Sequence, residues 1–236
     1  MKKLLHLPTL IMAIVLALGS VFVATAQDAT PQATPDAAGF GSPVAALECW
    51  SDEPDSSVAG YPQFPGVPEM MIDTTKAYFA EIETNRGTIV VQLYADVAPV
   101  TVNNFVCLAT NNYYDGVIFH RIIRDFMIQT GDPTGTGRGG PGYTFNDELP
   151  GEELKYVEGS VAMANSGPNT NGSQFFISTV NNSNNLQPAY TIFGQVVEGE
   201  EVVRIIAEVP VSMNPQGETS VPAATITILG ITIFEQ

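Results

Sequence analysis

Between residues 78 and 234, apolar and polar positions recur at a period of two in many short runs and at helical spacing in only two. Tyr78 to Thr84 and Thr88 to Tyr94 alternate on either side of Asn85-Arg86-Gly87, which predicts a β-hairpin. Pro99 stands at a helix start, and Val102, Phe105, Val106 and Ala109 give Thr101 to Thr110 a core-facing helical stripe. The segments VIFHRII and FMIQT read as two short strand pieces joined through Arg124-Asp125. Ser160 to Ser178 reads as strand, long polar turn and strand. Thr191 to Val197 is a further strand, and Gly199 to Ala207 a short helix with Val202, Val203, Ile205 and Ile206 toward the core. Ala224 to Phe234 closes the chain as a last strand. Many short strands with two helices predict a mainly β barrel.

The chain before residue 76 follows neither period. Met1-Lys2-Lys3, an apolar run from Leu10 to Val23 and the ending Ala24-Thr25-Ala26 predict a cleaved signal peptide over 1–26. An uncleaved membrane anchor is the competing reading, but the run is short of the roughly 20 residues that a spanning helix needs. His6 falls in this segment and has no site role. Residues 27–46 are rich in Ala, Thr, Pro and Gln without apolar periodicity, which predicts a disordered linker. Residues 47–75 carry Leu47, Cys49, Trp50, Tyr61, Phe64, Met70 and Met71 among prolines, too apolar for a free tail. They are expected to form an extended arm on the surface of a domain spanning 76–236.

Composition narrows the function. A formal net charge of −16, from 25 acidic and 9 basic residues, argues against a nucleic-acid partner, which would want a basic patch. Two cysteines are too few for a disulfide framework and lack metal-ligand spacing. Export favours an oxidising setting, in which Cys49 and Cys107 either bridge the arm to the first helix or remain separate thiols. Gly131 to Gly142 is glycine-rich, but no lysine and helix follow it, so it is not a phosphate cradle. Asp147 and Glu148 read as solvated loop acids rather than metal ligands.

The chemistry concentrates in Phe119 to Asp132. Strand alternation puts Phe119, Arg121 and Ile123 on one face, with Met127 and Gln129 sharing a face in the next piece. His120 should then point to the opposite face as a packed structural residue. The result is a wall with apolar surface, one fixed cation and one amide, lacking a nucleophile or a metal-ligand set.

The segment FHRIIRDFMIQTGDPTGTGRGG, followed by SVAMANSGPNTNGSQFFIS and YTIFGQVVEG, resembles the cyclophilin family of peptidyl-prolyl cis–trans isomerases. The resemblance runs from about Tyr78 to Phe234. It implies a closed eight-stranded antiparallel barrel with a helix capping each end. Such a barrel is packed inside, so its site lies on the outer wall. It also implies an isomerase acting as a monomer on proline-containing polypeptides, with no cofactor and no metal, which the segment 1–26 would place outside the cytoplasm.

Residue by residue, Arg121 matches the family's catalytic arginine, with Gln129 as its catalytic partner. Phe126, Met127, Phe176 and Leu186 match the proline pocket, and Gln174 a polar group that binds peptide and orients the arginine. Asn165, flanked by Ala164 and Ser166, matches the segment that takes substrate as an added partial strand. Gly135 matches the groove's rim. Two positions depart from the best-known form: Tyr190 stands where many members carry histidine, and Asn185 where many carry tryptophan. A non-catalytic module that holds proline-rich segments is the alternative. It could lose the arginine and keep the pocket, whereas this chain retains both.

Overall fold

The computed structural model describes residues 39–57, 59–151 and 154–236 of the chain. The expected signal peptide 1–26 and the linker up to residue 38 lie outside the described residues. The strands are β1 (Ser42–Pro43), β2 (Tyr78–Thr84), β3 (Gly87–Leu93), β4 (Arg121–Ile123), β5 (Met127–Thr130) and β6 (Ser160–Met163). They continue with β7 (Phe175–Ser178), β8 (Ile192–Glu198), β9 (Val211–Met213), β10 (Thr219–Pro222) and β11 (Ile228–Glu235). Helix α1 (Pro99–Thr110) falls between β3 and β4, and α2 (Glu200–Ala207) follows β8.

Nine strands form one antiparallel sheet in the order β1-β11-β2-β3-β8-β6-β7-β5-β4, and β9 pairs with β10 as a separate hairpin. Because β1 adds only two residues beside β11, the body of the sheet is the eight strands from β11 to β4. Its two ends meet. Phe119 N–H donates to the Ile226 carbonyl and Ile228 N–H to that of Val117, around the antiparallel bridge Ile118–Thr227. The chain entering β4 therefore pairs with the chain entering β11, and the ring of strands leaves no long free edge.

The inward faces of the strands fill the barrel. Ile82, Ile89, Val91, Ile122, Ile128, Phe175, Ile177 and Phe193 are all buried in one continuous core. Helix α1 covers one end through Phe105, whose ring meets those of Tyr114, Phe175 and Phe193 at centroid distances of 5.3–5.5 Å. Helix α2 packs on the same core through Val202, Val203 and Ile206. Ile205, expected inside, is half exposed, because a short helix with a narrow apolar stripe turns that position outward. Gly199, before α2, has φ +81°, and a Cβ there would strike the Thr88 carbonyl. Only glycine allows helix and hairpin to approach this closely.

Helix α1 begins without a capping side chain of its own. The Glu148 carboxylate supplies the cap from a distant loop, accepting from Val100 N–H, Thr101 N–H and the Thr101 hydroxyl at 2.7–3.1 Å. Glu148 is thus a structural acceptor rather than the solvated acid expected from sequence. Its negative charge also suits the helix N-terminus. Asp147 is likewise engaged, taking the Asn169 N–H at 2.8 Å and the Asn171 amide at 2.9 Å.

The disordered linker expected through residue 46 is corrected at its C-terminal end. Ser42–Pro43 pair with Glu235 and Phe234 of β11, because the β11 edge offers unpaired backbone groups. Beyond it the arm lies on the barrel. Asn103 on α1 holds it, donating to the Glu69 carbonyl and accepting from Met71 and Ile72 N–H. Trp50 stacks on Phe64 at 4.0 Å, and Phe64 N–H donates to the Pro141 carbonyl. Cys49 and Cys107 form a disulfide across 58 residues of sequence, with Cα atoms 5.9 Å apart. It settles the alternative left open by sequence in favour of the staple. A bridge of this span stabilises a fold by about 2–4 kcal/mol, chiefly by restricting the unfolded chain. Reduction should lower the unfolding free energy by that amount and release the arm to proteolysis while the barrel stays folded. Two free thiols in the denatured, unreduced protein would contradict the staple.

Candidate functional site: an outer-wall groove

Pairing across β4, β5, β7 and β6 lines up two rows of side chains. The inner row is Ile122, Ile128, Ile177 and Val161, opposite one another in register and buried in the barrel core. One residue along, the outer row runs Arg121, Gln129, Phe176 and Ala162. Met127 and Phe176, with Ala162, Ile192 and Tyr156, form a second buried apolar cluster, backed by Phe126, Ala164, Leu186 and Tyr190. The Tyr190 ring stands edge-on to Phe176 at 5.6 Å. Tyr190 therefore sets an aromatic ring against the cluster.

Above this cluster lies a groove of about 460 Å³, lined by Arg121, Phe126, Met127, Gln129, Phe176, Leu186 and Tyr190. Ala164, Asn165 and Gly135 complete its rim among the expected residues. Gly135 has φ +65° and faces the Ile118 side chain, so a Cβ there would crowd it. Gln174 and Ser166 line a neighbouring depression of about 480 Å³ that shares Gln129, Ala164 and Asn165 with the first. The expected residues thus divide between two joined hollows. Asn185 is exposed in the 181–186 loop.

A polar relay crosses the floor. Gln129 accepts from the Arg121 guanidinium at 3.0 Å and donates to Gln174 at 3.0 Å. Gln174 in turn donates to the Gly139 carbonyl at 2.9 Å. Gly139 belongs to the glycine-rich loop, which winds around buried Asp132. That carboxylate accepts from the N–H groups of Thr134, Thr136 and Arg138 and from the Thr134 hydroxyl. Burial by itself would raise the Asp132 pKa, but the hydrogen bonds from Thr134 and Gly139 outweigh it and the net shift is downward. A fixed carboxylate therefore shapes the loop that carries Gly135 and Gly137 to the rim.

Two residues are not where alternation put them. His120 lines the groove beside Arg121 rather than the opposite face, and Phe119 is buried in the barrel core rather than sharing the face of Arg121. The ladder is irregular between the bridge at Ile118 and the start of β4 at Arg121, so the two-residue alternation shifts there. Burial lowers the pKa of His120, Asp132 opposes this, and Arg121 adds to it. Neither ring nitrogen meets a hydrogen-bond partner among the described residues.

Glu218 was missed by sequence reasoning. It sits between β9 and β10, and its carboxylate takes Arg121 Nε at 2.8 Å and Nη2 at 2.7 Å. The hydrogen bonds from Arg121 hold the Glu218 pKa down to about 2, so the pair stays ionised from neutral pH through mild acid. Only the turn-forming run Asn214-Pro215-Gln216-Gly217 marks this segment in sequence, and nothing in it points across the fold to Arg121.

The model for the family "Cyclophilin type peptidyl-prolyl cis-trans isomerase/CLD" matches residues 79–233. Peptidyl-prolyl cis-trans isomerase-like 1 of Neurospora crassa is 50% identical over 145 residues, covering 59% of this chain and 87% of its own length. Peptidyl-prolyl cis-trans isomerase A of Mycobacterium tuberculosis is 46% identical over 166 residues, covering 63% and 91%. Among solved structures, a cyclophilin type isomerase of Cryptosporidium parvum superposes with a TM-score of 0.62 at 36% identity, covering 68% of this chain and 99% of that one. That protein has also been crystallised in the presence of the dipeptide Ala-Pro, at a TM-score of 0.61 and 37% identity, with coverages of 67% and 99%. The barrel, the outer-wall groove and these relationships agree: the chain belongs to the cyclophilin-type family, and its activity is peptidyl-prolyl cis–trans isomerisation.

Proposed function

We propose that Arg121 is the catalytic group, that Phe126, Met127, Phe176 and Leu186 grip the proline ring, and that the substrates are exported polypeptides during folding. An X–Pro bond turns slowly because amide resonance sets a barrier of roughly 18–20 kcal/mol. No covalent bond breaks, so no acid, base or nucleophile is needed. What lowers the barrier is a donor that draws the prolyl nitrogen lone pair out of resonance while an apolar surface holds the ring. The observation that carries this reading is the outer row itself, in which Arg121 and Gln129 stand beside Phe176 over the Met127 cluster. Gln129 holds one terminal nitrogen of the guanidinium through its 3.0 Å bond, and Gln174 extends the support to the loop. Asn165, with its amide tied to the Ala189 carbonyl at 2.9 Å, holds the rim segment Ala164–Ser166 against which an extended peptide can lie. The crystal of the related parasite isomerase with Ala-Pro supports a proline-containing peptide as occupant. The arginine and its amide partner sit together with the pocket, which favours turnover over a module that only holds proline segments.

Export rests on the residues 1–26 pattern together with the disulfide Cys49–Cys107, a bond characteristic of oxidising compartments. An acidic surface, from the net charge of −16, suits a protein kept soluble and clear of nucleic acid.

Arg121→Ala should lower the isomerisation rate of a proline-peptide substrate by on the order of 10²–10³, the usual loss for one preorganised donor. The melting temperature should change little, since the side chain lies in an open groove; full activity would remove Arg121 from the catalytic role. Expressed with its N-terminus, the mature protein should be recovered outside the cytoplasm beginning at Gln27. An unprocessed protein retained in the cytoplasm contradicts export. Cyclophilins bind the cyclic peptide cyclosporin partly through the rim tryptophan, which Asn185 replaces here. Loss of a hot-spot tryptophan costs about 2 kcal/mol or more, so cyclosporin should inhibit weakly and Asn185→Trp should restore tight inhibition. Equal affinity in the two proteins would show that the pocket alone sets it.

A further inference from the structure

We infer that Glu218 is a positioning residue for Arg121: its carboxylate fixes the plane and place of the guanidinium so that the remaining N–H groups meet the prolyl amide. A guanidinium carries five N–H donors in a rigid fork. Glu218 takes one from Nε and one from Nη2, and Gln129 takes one from Nη1. Two donors therefore remain, on the two terminal nitrogens. A bidentate arginine–carboxylate pair sets orientation as well as position, which a single bond to Gln129 does not.

Glu218 is itself built in. Its N–H donates to the Asn214 side chain at 2.9 Å and its carbonyl accepts from Asn214 N–H at 2.8 Å. These bonds close the turn between β9 and β10, and Gly217, at φ +88°, gives that turn its left-handed step. Asn214, Pro215 and Gln216 of the same turn line the groove. A separate two-stranded hairpin is thus held over β4 with its one carboxylate aimed at the arginine.

Two consequences of the pair oppose each other. The carboxylate draws positive charge away from the prolyl amide, which weakens the donor. It also removes the freedom of a long, half-exposed side chain, whose misplacement by about 1 Å can cost on the order of 10²-fold in rate. The bidentate geometry makes positioning the larger effect, so removing Glu218 slows the reaction.

This inference rests on the catalytic assignment of Arg121, and the closing experiment separates the two. Isomerisation of a proline peptide is measured for the full chain, Arg121→Ala, Glu218→Ala, Glu218→Gln and the double variant, with the melting temperature of each. Glu218→Ala should lower kcat about tenfold with KM changed less than about twofold, because the apolar pocket that binds the ring is untouched. Glu218→Gln, which keeps length and one acceptor, should lose less. In the Arg121→Ala background, Glu218→Ala should cost nothing further. An unchanged or raised rate in Glu218→Ala overturns the inference, as does an equal loss in the presence and absence of Arg121, which would mark the hairpin as merely structural. If Arg121→Ala is itself fully active, the catalytic reading fails and this inference falls with it.

Discussion

The alternation of side chains along β4, β5, β7 and β6 is the constraint on which the site depends. The same four strands present Ile122, Ile128, Ile177 and Val161 to the barrel core and Arg121, Gln129, Phe176 and Ala162 to the outer wall. Slipping β4 or β5 by one residue would drive the Arg121 guanidinium or the Gln129 amide into the hydrocarbon interior and expose an isoleucine. Burial of the inner row therefore fixes the register that assembles the outer row. Core and site are two faces of one decision. Stability supplies the geometric precision that a noncovalent catalyst needs, without any dedicated scaffold.

The outer wall is not left bare. Met127 and Phe176 are almost wholly buried by their own cluster, so the floor of the groove is part of a packed surface. The polar relay from Glu218 through Arg121 and Gln129 to Gln174 ends on a loop organised by Asp132. Each polar group in this relay has a partner on another strand or loop, which limits the freedom that binding a peptide would otherwise remove. The Cys49–Cys107 bridge ties the arm to α1, and neither cysteine lines the groove.

Much of this was legible in the chain. The period-two runs located the hairpin β2–β3 and the strands of the outer wall, and Pro99 with its apolar stripe located α1. Strand alternation put Met127 and Gln129 on one face, and only the resemblance added Phe176 to them. What escaped depended on contacts distant in sequence. Glu148 caps α1 from 47 residues away and Glu218 meets Arg121 across 97 residues, and neither carries a local signal that names its partner. His120 and Phe119 were assigned to the wrong faces for a different reason, since a single irregular step before β4 resets the alternation that the reading assumed. Ile205 was expected inside because its apolarity outweighed its position on a helix of only two turns.

The central claim is that a proline ring sits on the Met127–Phe176 cluster while the Arg121 guanidinium, still paired with Glu218, donates to the prolyl amide. The structure of the protein with a bound Xaa-Pro peptide tests this most directly. It should show the ring between Phe126, Met127 and Phe176, with an Arg121 terminal nitrogen within hydrogen-bond distance of the prolyl amide. A proline seated instead in the neighbouring depression beside Ser166 and Thr170, or an arginine turned away from the bound peptide, would contradict it.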